Sequence, residues 1–206
     1  MIKLAYVVRK NLKFEMFVHF MIAIALCLLA PVVFGLNNLD RQMAVFPLEQ
    51  IIILTGVVIM VPIFLPEQER TVFDVMYTKQ TAPVYVYAVR AVYSTVTVFL
   101  IPAVFTWGMY LLRSEVSINH YLGTVSSALF LGGIGALIFA ITNNIAASYM
   151  LPVIYYVVCM VWTGLKAFDV MMMSHGIING KPYQMAAGVL LMAAAVGVGS
   201  TRRKLF

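Results

Sequence analysis

Between His120 and Lys166 the chain runs for 45 residues without one acidic or basic side chain. A helix needs about 20 apolar residues, at ~1.5 Å each, to cross ~30 Å of hydrocarbon. The run is twice that length, and Thr142-Asn143-Asn144 breaks it near the middle with polar side chains. It therefore reads as two membrane-crossing helices joined by a tight turn.

Charged residues delimit four more such runs: Met16 to Leu39, Gln50 to Pro66, Ala91 to Leu112 and Pro182 to Thr201. The mean hydropathy of +0.95 and the 11% charged content agree with a chain surrounded by lipid. The expected fold is an all-α polytopic membrane protein with six transmembrane helices in a single domain, residues 1–206. The first apolar run exceeds a signal-peptide core and no small-residue cleavage site follows it, so it is expected to stay as span one.

Six spans put both ends of the chain on one side. That side collects Lys3, Arg9, Lys10, Lys13, Arg70, Lys79, Arg90, Arg202, Arg203 and Lys204. The other side keeps Arg41, Arg113, Lys166 and Lys181. The imbalance predicts cytoplasmic termini in a plasma membrane. It also accounts for the +6 net charge through topology and lipid headgroups, without a nucleic-acid partner.

Residues 1–14 place Leu4, Ala5, Val8 and Leu12 opposite Lys3, Arg9, Lys10 and Lys13 on a helical wheel, which predicts an amphipathic helix on the cytoplasmic leaflet. Arg90 is expected at the membrane boundary, within reach of headgroups or of the acidic start of the loop helix. The outer segment 166–182 is apolar for a loop and is expected to fold back on the membrane surface or dip into it. Its Met171, Met172 and Met173 with His175 offer soft-metal donors, but Met-rich segments usually pack, and no metal is expected. Cys27 and Cys159 fall inside spans and read as packing residues.

Small residues repeat every four positions at Ala128, Gly132, Ala136 and Ala140, and again at Ala193 and Gly197. Both stripes predict close helix contacts, within the chain or between copies. Pro62, Pro102 and Pro152 lie inside spans and are expected to kink or unwind them.

Catalytic patterns are missing. No ionisable group lies at mid-span; Glu49 and His19 sit about a turn from a boundary and read as interfacial. There is no G-x-S-x-G, no H-E-x-x-H and no paired metal-spaced carboxylates; GIINGKP from Gly176 to Pro182 is one residue short of a P-loop and lacks its Ser or Thr. The chain is not expected to be an enzyme, nor to carry a cofactor.

The longest water-compatible stretch is PEQERTVFDVMYTKQTAPVYVYAVR, Pro66 to Arg90. Thr71 and Asp74 form a helix-capping pattern, so a short helix is predicted from about Val72, with Glu67, Glu69, Arg70 and Asp74 near its start and Phe73, Met76 and Tyr77 as apolar anchors. Pro83 then opens a helix to about Leu112, roughly 45 Å long and longer than the bilayer core requires. A docking surface is the simplest use for such a loop in a chain without a motor.

The combination of a charged entry after span two, a short amphipathic helix, a Thr and Pro turn and a basic start to span three resembles the coupling segment of type-2 ABC transporter permeases. The resemblance extends over nearly the whole chain through the six spans, the N-terminal elbow helix 1–14 and the outer hairpin 166–182. One departure is Arg70, where that family commonly has Gly before the Thr. The resemblance implies an exporter permease subunit that pairs with a second copy or a related permease and binds separate cytoplasmic ABC ATPases, which would carry the ATP and Mg²⁺. It makes residues 67–80 the coupling helix, with Glu67, Glu69, Arg70, Thr71, Phe73, Asp74, Met76 and Tyr77 docking the ATPase. Asn143 and Asn144 become a second, smaller cytoplasmic contact. The uncharged spans suit an amphipathic or hydrophobic cargo such as a peptide, lipid or drug. The alternatives are a substrate-binding membrane subunit of an importer, or a small lipid enzyme using Glu67, Glu69 and Asp74 on Mg²⁺.

Overall fold

A computed structural model describes residues 17–68, 83–162, 168–176 and 180–202. The expected elbow helix with Lys3, Arg9, Lys10 and Lys13 lies outside the described residues, as does most of the expected coupling helix, with Glu69, Arg70, Thr71, Phe73, Asp74, Met76 and Tyr77. The described chain is all-helical, with no strand among the described residues.

The elements are α1 (Phe17–Phe34), a composite α2 whose span is Val45–Leu65, α3 (Pro83–Leu111), α4 (Ile118–Thr142), α5 (Ile145–Val161) and α6 (Lys181–Arg202). All but α5 are long and apolar enough to cross a membrane. Helix α5 has 17 residues, or roughly 26 Å at 1.5 Å per residue. Five helices long and apolar enough to cross a membrane are therefore found where six spans were expected, and the remaining apolar helix is shorter.

Helix α4 is the axis of the bundle: 78% of its apolar window is buried, against 72% for α2 and only 17% for α1. It packs most extensively on α6, then on α2 and α5. Its glycines explain how three neighbours fit around one helix. Gly132 lies against the Gly56 carbonyl of α2, Gly133 against the Gly188 carbonyl of α6, and Gly135 against the Ser148 carbonyl of α5. The reciprocal position is equally tight, since a side chain on Gly56 would collide with the Ala128 carbonyl. The stripe Ala128, Gly132, Ala136 and Ala140 is buried, so it is a contact within the chain. Ala193 and Gly197 on α6 are exposed, and Gly197 faces open space.

The predicted break at Thr142-Asn143-Asn144 is a complete helix stop and restart. Asn143 adopts φ 53°, the left-handed conformation that Asn tolerates better than most residues, and its N–H donates to Phe139 O at 2.8 Å. Asn144 Oδ1 then accepts from the backbone N–H groups of Ala146 (2.9 Å) and Ala147 (3.3 Å), capping α5. At the opposite end of the bundle the α1–α2 and α3–α4 connections are stitched together. Glu115 N donates to Leu39 O at 2.9 Å, and the Ser114 hydroxyl donates to Leu36 O at 2.7 Å.

Of the three expected proline distortions, Pro62 falls where α2 tightens into a 3-10 helix over Val61–Gln68, while Pro102 and Pro152 lie within unbroken α3 and α5. A second irregularity, a π-helical turn over Leu48–Ile52, was not anticipated.

Candidate functional site: a Phe64–Arg90 centre and a buried ion pair

The bundle has two polar anchor points, one at each end. At one end, α2 closes as a 3-10 helix containing Pro62 and Pro66. In i→i+3 pairing the Ile63 carbonyl would receive the N–H of residue 66, and proline has none. Arg90 of α3 meets this need: its Nη1 donates to Ile63 O at 3.1 Å. The side chain is only 7% exposed. The acidic start of the loop helix, the other partner expected for Arg90, lies mostly outside the described residues; within them, the Ile63 carbonyl that Pro66 leaves without an i+3 N–H is a partner of its guanidinium.

Next to it, fully buried Phe64 joins four helices. Its ring meets Tyr87 of α3 edge-on, with centroids 5.1 Å apart, and stacks on Phe139 of α4 at 6.1 Å. Gly199 of α6 leaves the ring room, because a Cβ there would lie 2.8 Å from Phe64 Cε1. The two helices that flank residues 69–82 are thus tied to each other and, through Phe139, to the turn at Asn143. Phe64 was not singled out from sequence; the signal was the Pro62 and Pro66 pair bracketing it opposite a lone basic residue.

Of the residues expected to dock a partner, Glu67 has its backbone at the end of the 3-10 helix, and Asn143 and Asn144 are exposed in the α4–α5 turn at this same end. The structure therefore gathers Arg90, the start of the charged loop and the Asn turn at one end.

At the other end lies a buried charged network. Glu49, in the π-helical turn of α2, has no exposed surface, and Lys181, at the start of α6, is 3% exposed. Lys181 Nζ donates to Glu49 Oε1 at 3.0 Å, Ser127 Oγ at 2.8 Å and Val170 O at 3.0 Å. Glu49 also accepts from the backbone N–H groups of Met173 (2.9 Å) and Ser174 (2.8 Å). Ser127 donates to Gln184 Oε1 at 2.9 Å, and Gln184 Nε2 donates to Asp169 O. The π turn widens the helix and frees the Gln50 carbonyl, which accepts from the Tyr156 hydroxyl at 2.9 Å.

A lone buried charge costs several kcal/mol, and an ion pair offsets this only when its remaining donors and acceptors are filled. Here they are filled, and three come from residues 170–174. The network therefore fixes where that segment sits. Glu49 was read as interfacial; it is instead fully buried and paired, because a cation 132 positions away is folded onto it. Residues Val170 to Met173 are buried against the bundle, with the Met173 sulfur filling the space above Gly123. His175 turns outward and pairs with Asp169 Oδ2 at 3.3 Å. Among the described residues no group of three His, Cys, Asp or Glu side chains is placed to hold a metal.

A third feature is an open groove of about 640 Å³ between α1 and α3, lined almost wholly by apolar side chains. No family model matches the chain, and no curated protein or solved structure is similar to it.

Proposed function

We propose that this chain is the membrane-spanning permease subunit of an ATP-driven ABC exporter, with α5 as the fifth of six spans and both termini in the cytoplasm. The observation that carries this reading is the Phe64 and Arg90 centre. It lies where the described chain leads into and out of residues 69–82, and it connects α2 and α3, which flank them, to α4 and α6. A push on the loop would reach the axis of the bundle through packed rings and a charge-assisted hydrogen bond.

On this reading residues 67–80 are the coupling helix that meets a separate ATPase, and Asn143 and Asn144 make a smaller contact beside it. The Glu49–Lys181 network holds α2, α4 and α6 together at the far end. ATP-driven closure would then pivot the loop end of these helices about a fixed point. The subunit works with a second copy or a related permease and moves an amphipathic or hydrophobic cargo, in keeping with spans that offer no charged pocket open to ligand.

The test is purification in mild detergent from native membranes, with identification of what co-purifies and an ATPase assay. Recovery of a Walker-motif ATPase that is lost when Glu67, Glu69 and Asp74 are changed to Lys is the expected result. Recovery of the chain alone, or of an ATPase indifferent to those changes, overturns the proposal.

A further inference from the structure

The 168–176 segment is a strap that buried groups bond to the bundle and a half-exposed one closes upon itself. Asp169, its side chain 5% exposed, accepts from the Met171 N–H at Oδ1 (2.8 Å) and faces His175 Nδ1 at Oδ2 (3.3 Å). The His175 side chain is 35% exposed. Between them the Ser174 hydroxyl donates to Met171 O at 2.6 Å and the Gly176 N–H to Met173 O at 3.0 Å, while Gly176, at φ 74°, turns the chain out of the bundle. The Asp169–His175 contact thus closes a loop, and that loop supplies the Val170 carbonyl and the Met173 and Ser174 N–H groups that satisfy Lys181 and Glu49.

Histidine is the side chain that ordinarily changes charge between about pH 5 and 8. Charged, His175 gives the buried Asp169 carboxylate a cation and a charge-assisted hydrogen bond; neutral, it leaves that carboxylate a weaker partner where an unpaired charge is costly. The exposed Asp40, Arg41, Arg113 and Glu115 lie on the α1–α2 and α3–α4 connections at this same end, so the imidazole is on a side that meets water. The other ionisable groups around the strap are Glu49 of α2 and Lys181 of α6, which bond each other, and His120 of α4, whose Nδ1 accepts from the Ser117 N–H at 3.4 Å. Helix α5 contributes Tyr155, which donates to Phe168 O at 2.8 Å, and Cys159. Of all these groups His175 alone is exposed.

We infer that Asp169 and His175 form a proton-operated latch on this strap. The charged imidazole is the low-pH form, so the latch is closed at the acid end of the histidine range and loosens as pH rises through it. It is a device of the chain's own fold and does not rest on the permease reading.

Cys159 is a native reporter for the strap: it is fully buried, packs in one cluster with Val170 and Met171, and its thiol lies against the Val170 backbone. A maleimide reaches it when the strap lifts. The test is N-ethylmaleimide labelling of the purified full-length protein, with the Cys159 peptide quantified by mass spectrometry. Dividing each rate by that of the SDS-denatured protein at the same pH removes the intrinsic pH dependence of the thiol. From pH 5.5 to 8 this ratio is expected to rise about three- to tenfold, the difference between a charge-assisted and a neutral hydrogen bond. His175→Gln should hold the high ratio at both pH values, and His175→Lys, a cation throughout, the low one. A flat wild-type ratio, a wild-type ratio near one at pH 5.5, or a pH-dependent ratio retained in His175→Gln would each overturn the latch. If the variants do not fold, the wild-type profile decides.

Discussion

Replacing Glu49 by Gln is the sharpest perturbation of this bundle. The carboxylate accepts three hydrogen bonds, from Lys181 Nζ and from the N–H groups of Met173 and Ser174. A Gln oxygen retains part of this, but its amide donors then face other donors, and Lys181 is left charged among neutral Ser127 Oγ and Val170 O. Hydrogen bonds to charged groups contribute about 1.5–3 kcal/mol each, and removing one partner of a buried pair costs about 3–5 kcal/mol. Neutral interhelical hydrogen bonds in membranes average only ~0.6 kcal/mol. The two regimes are separable by SDS-induced unfolding of the purified protein. We expect Glu49→Gln and Lys181→Met each to destabilise by about 3–5 kcal/mol, and the double variant to lose about 2 kcal/mol less than their sum. A single variant within ~1 kcal/mol of wild type, or strict additivity, would refute the view that this pair fixes the 168–176 segment.

Gly56→Ala should destabilise by about 1–3 kcal/mol or more by forcing α2 from α4, whereas Gly197→Ala, facing open space, should be neutral or stabilising by up to ~1 kcal/mol; thermal unfolding compares them directly. Asn144→Ala removes the cap of α5 and should cost about 1 kcal/mol in the same assay, with Asn144→Ser largely restoring it. Phe64→Ala empties a fully buried site shared by α2, α3, α4 and α6 and should cost about 3–5 kcal/mol. On the permease reading the milder Phe64→Leu keeps the ATPase bound but lowers ATP-driven transport in proteoliposomes, and intact transport would argue against Phe64 as the transmission point.

Much of the architecture was legible because charges in hydrocarbon are expensive. The uncharged runs located the helices, and Asn143 and Asn144 marked a turn whose left-handed and capping conformations suit that residue type. The buried stripe on α4 followed from its four-residue period, while the shorter stripe at Ala193 and Gly197 is exposed, which leaves to it only the contact between copies. What sequence could not give was pairing. Glu49 near one span boundary and Lys181 near another each read as ordinary edge residues; only the fold brings them within 3.0 Å. Their opposite signs on the same expected side were the one available hint. Likewise, Arg90 looked like a boundary cation because the carbonyl it serves loses its chain donor to Pro66, in a different helix.

The separation of Glu49 and Lys181 has a consequence for synthesis. They lie 132 positions apart, so at about 5–20 residues per second the carboxylate waits roughly 7–26 seconds for its cation. During that interval α2 is in place with an acidic group that has no salt partner, a situation that costs a few kcal/mol in a bilayer. Helix α6 is therefore a checkpoint: a nascent chain is electrostatically unfinished until it enters. Chains stopped before Lys181 should be cleared much faster than full-length protein in a pulse-chase experiment, and the Lys181→Met chain should share part of that fate.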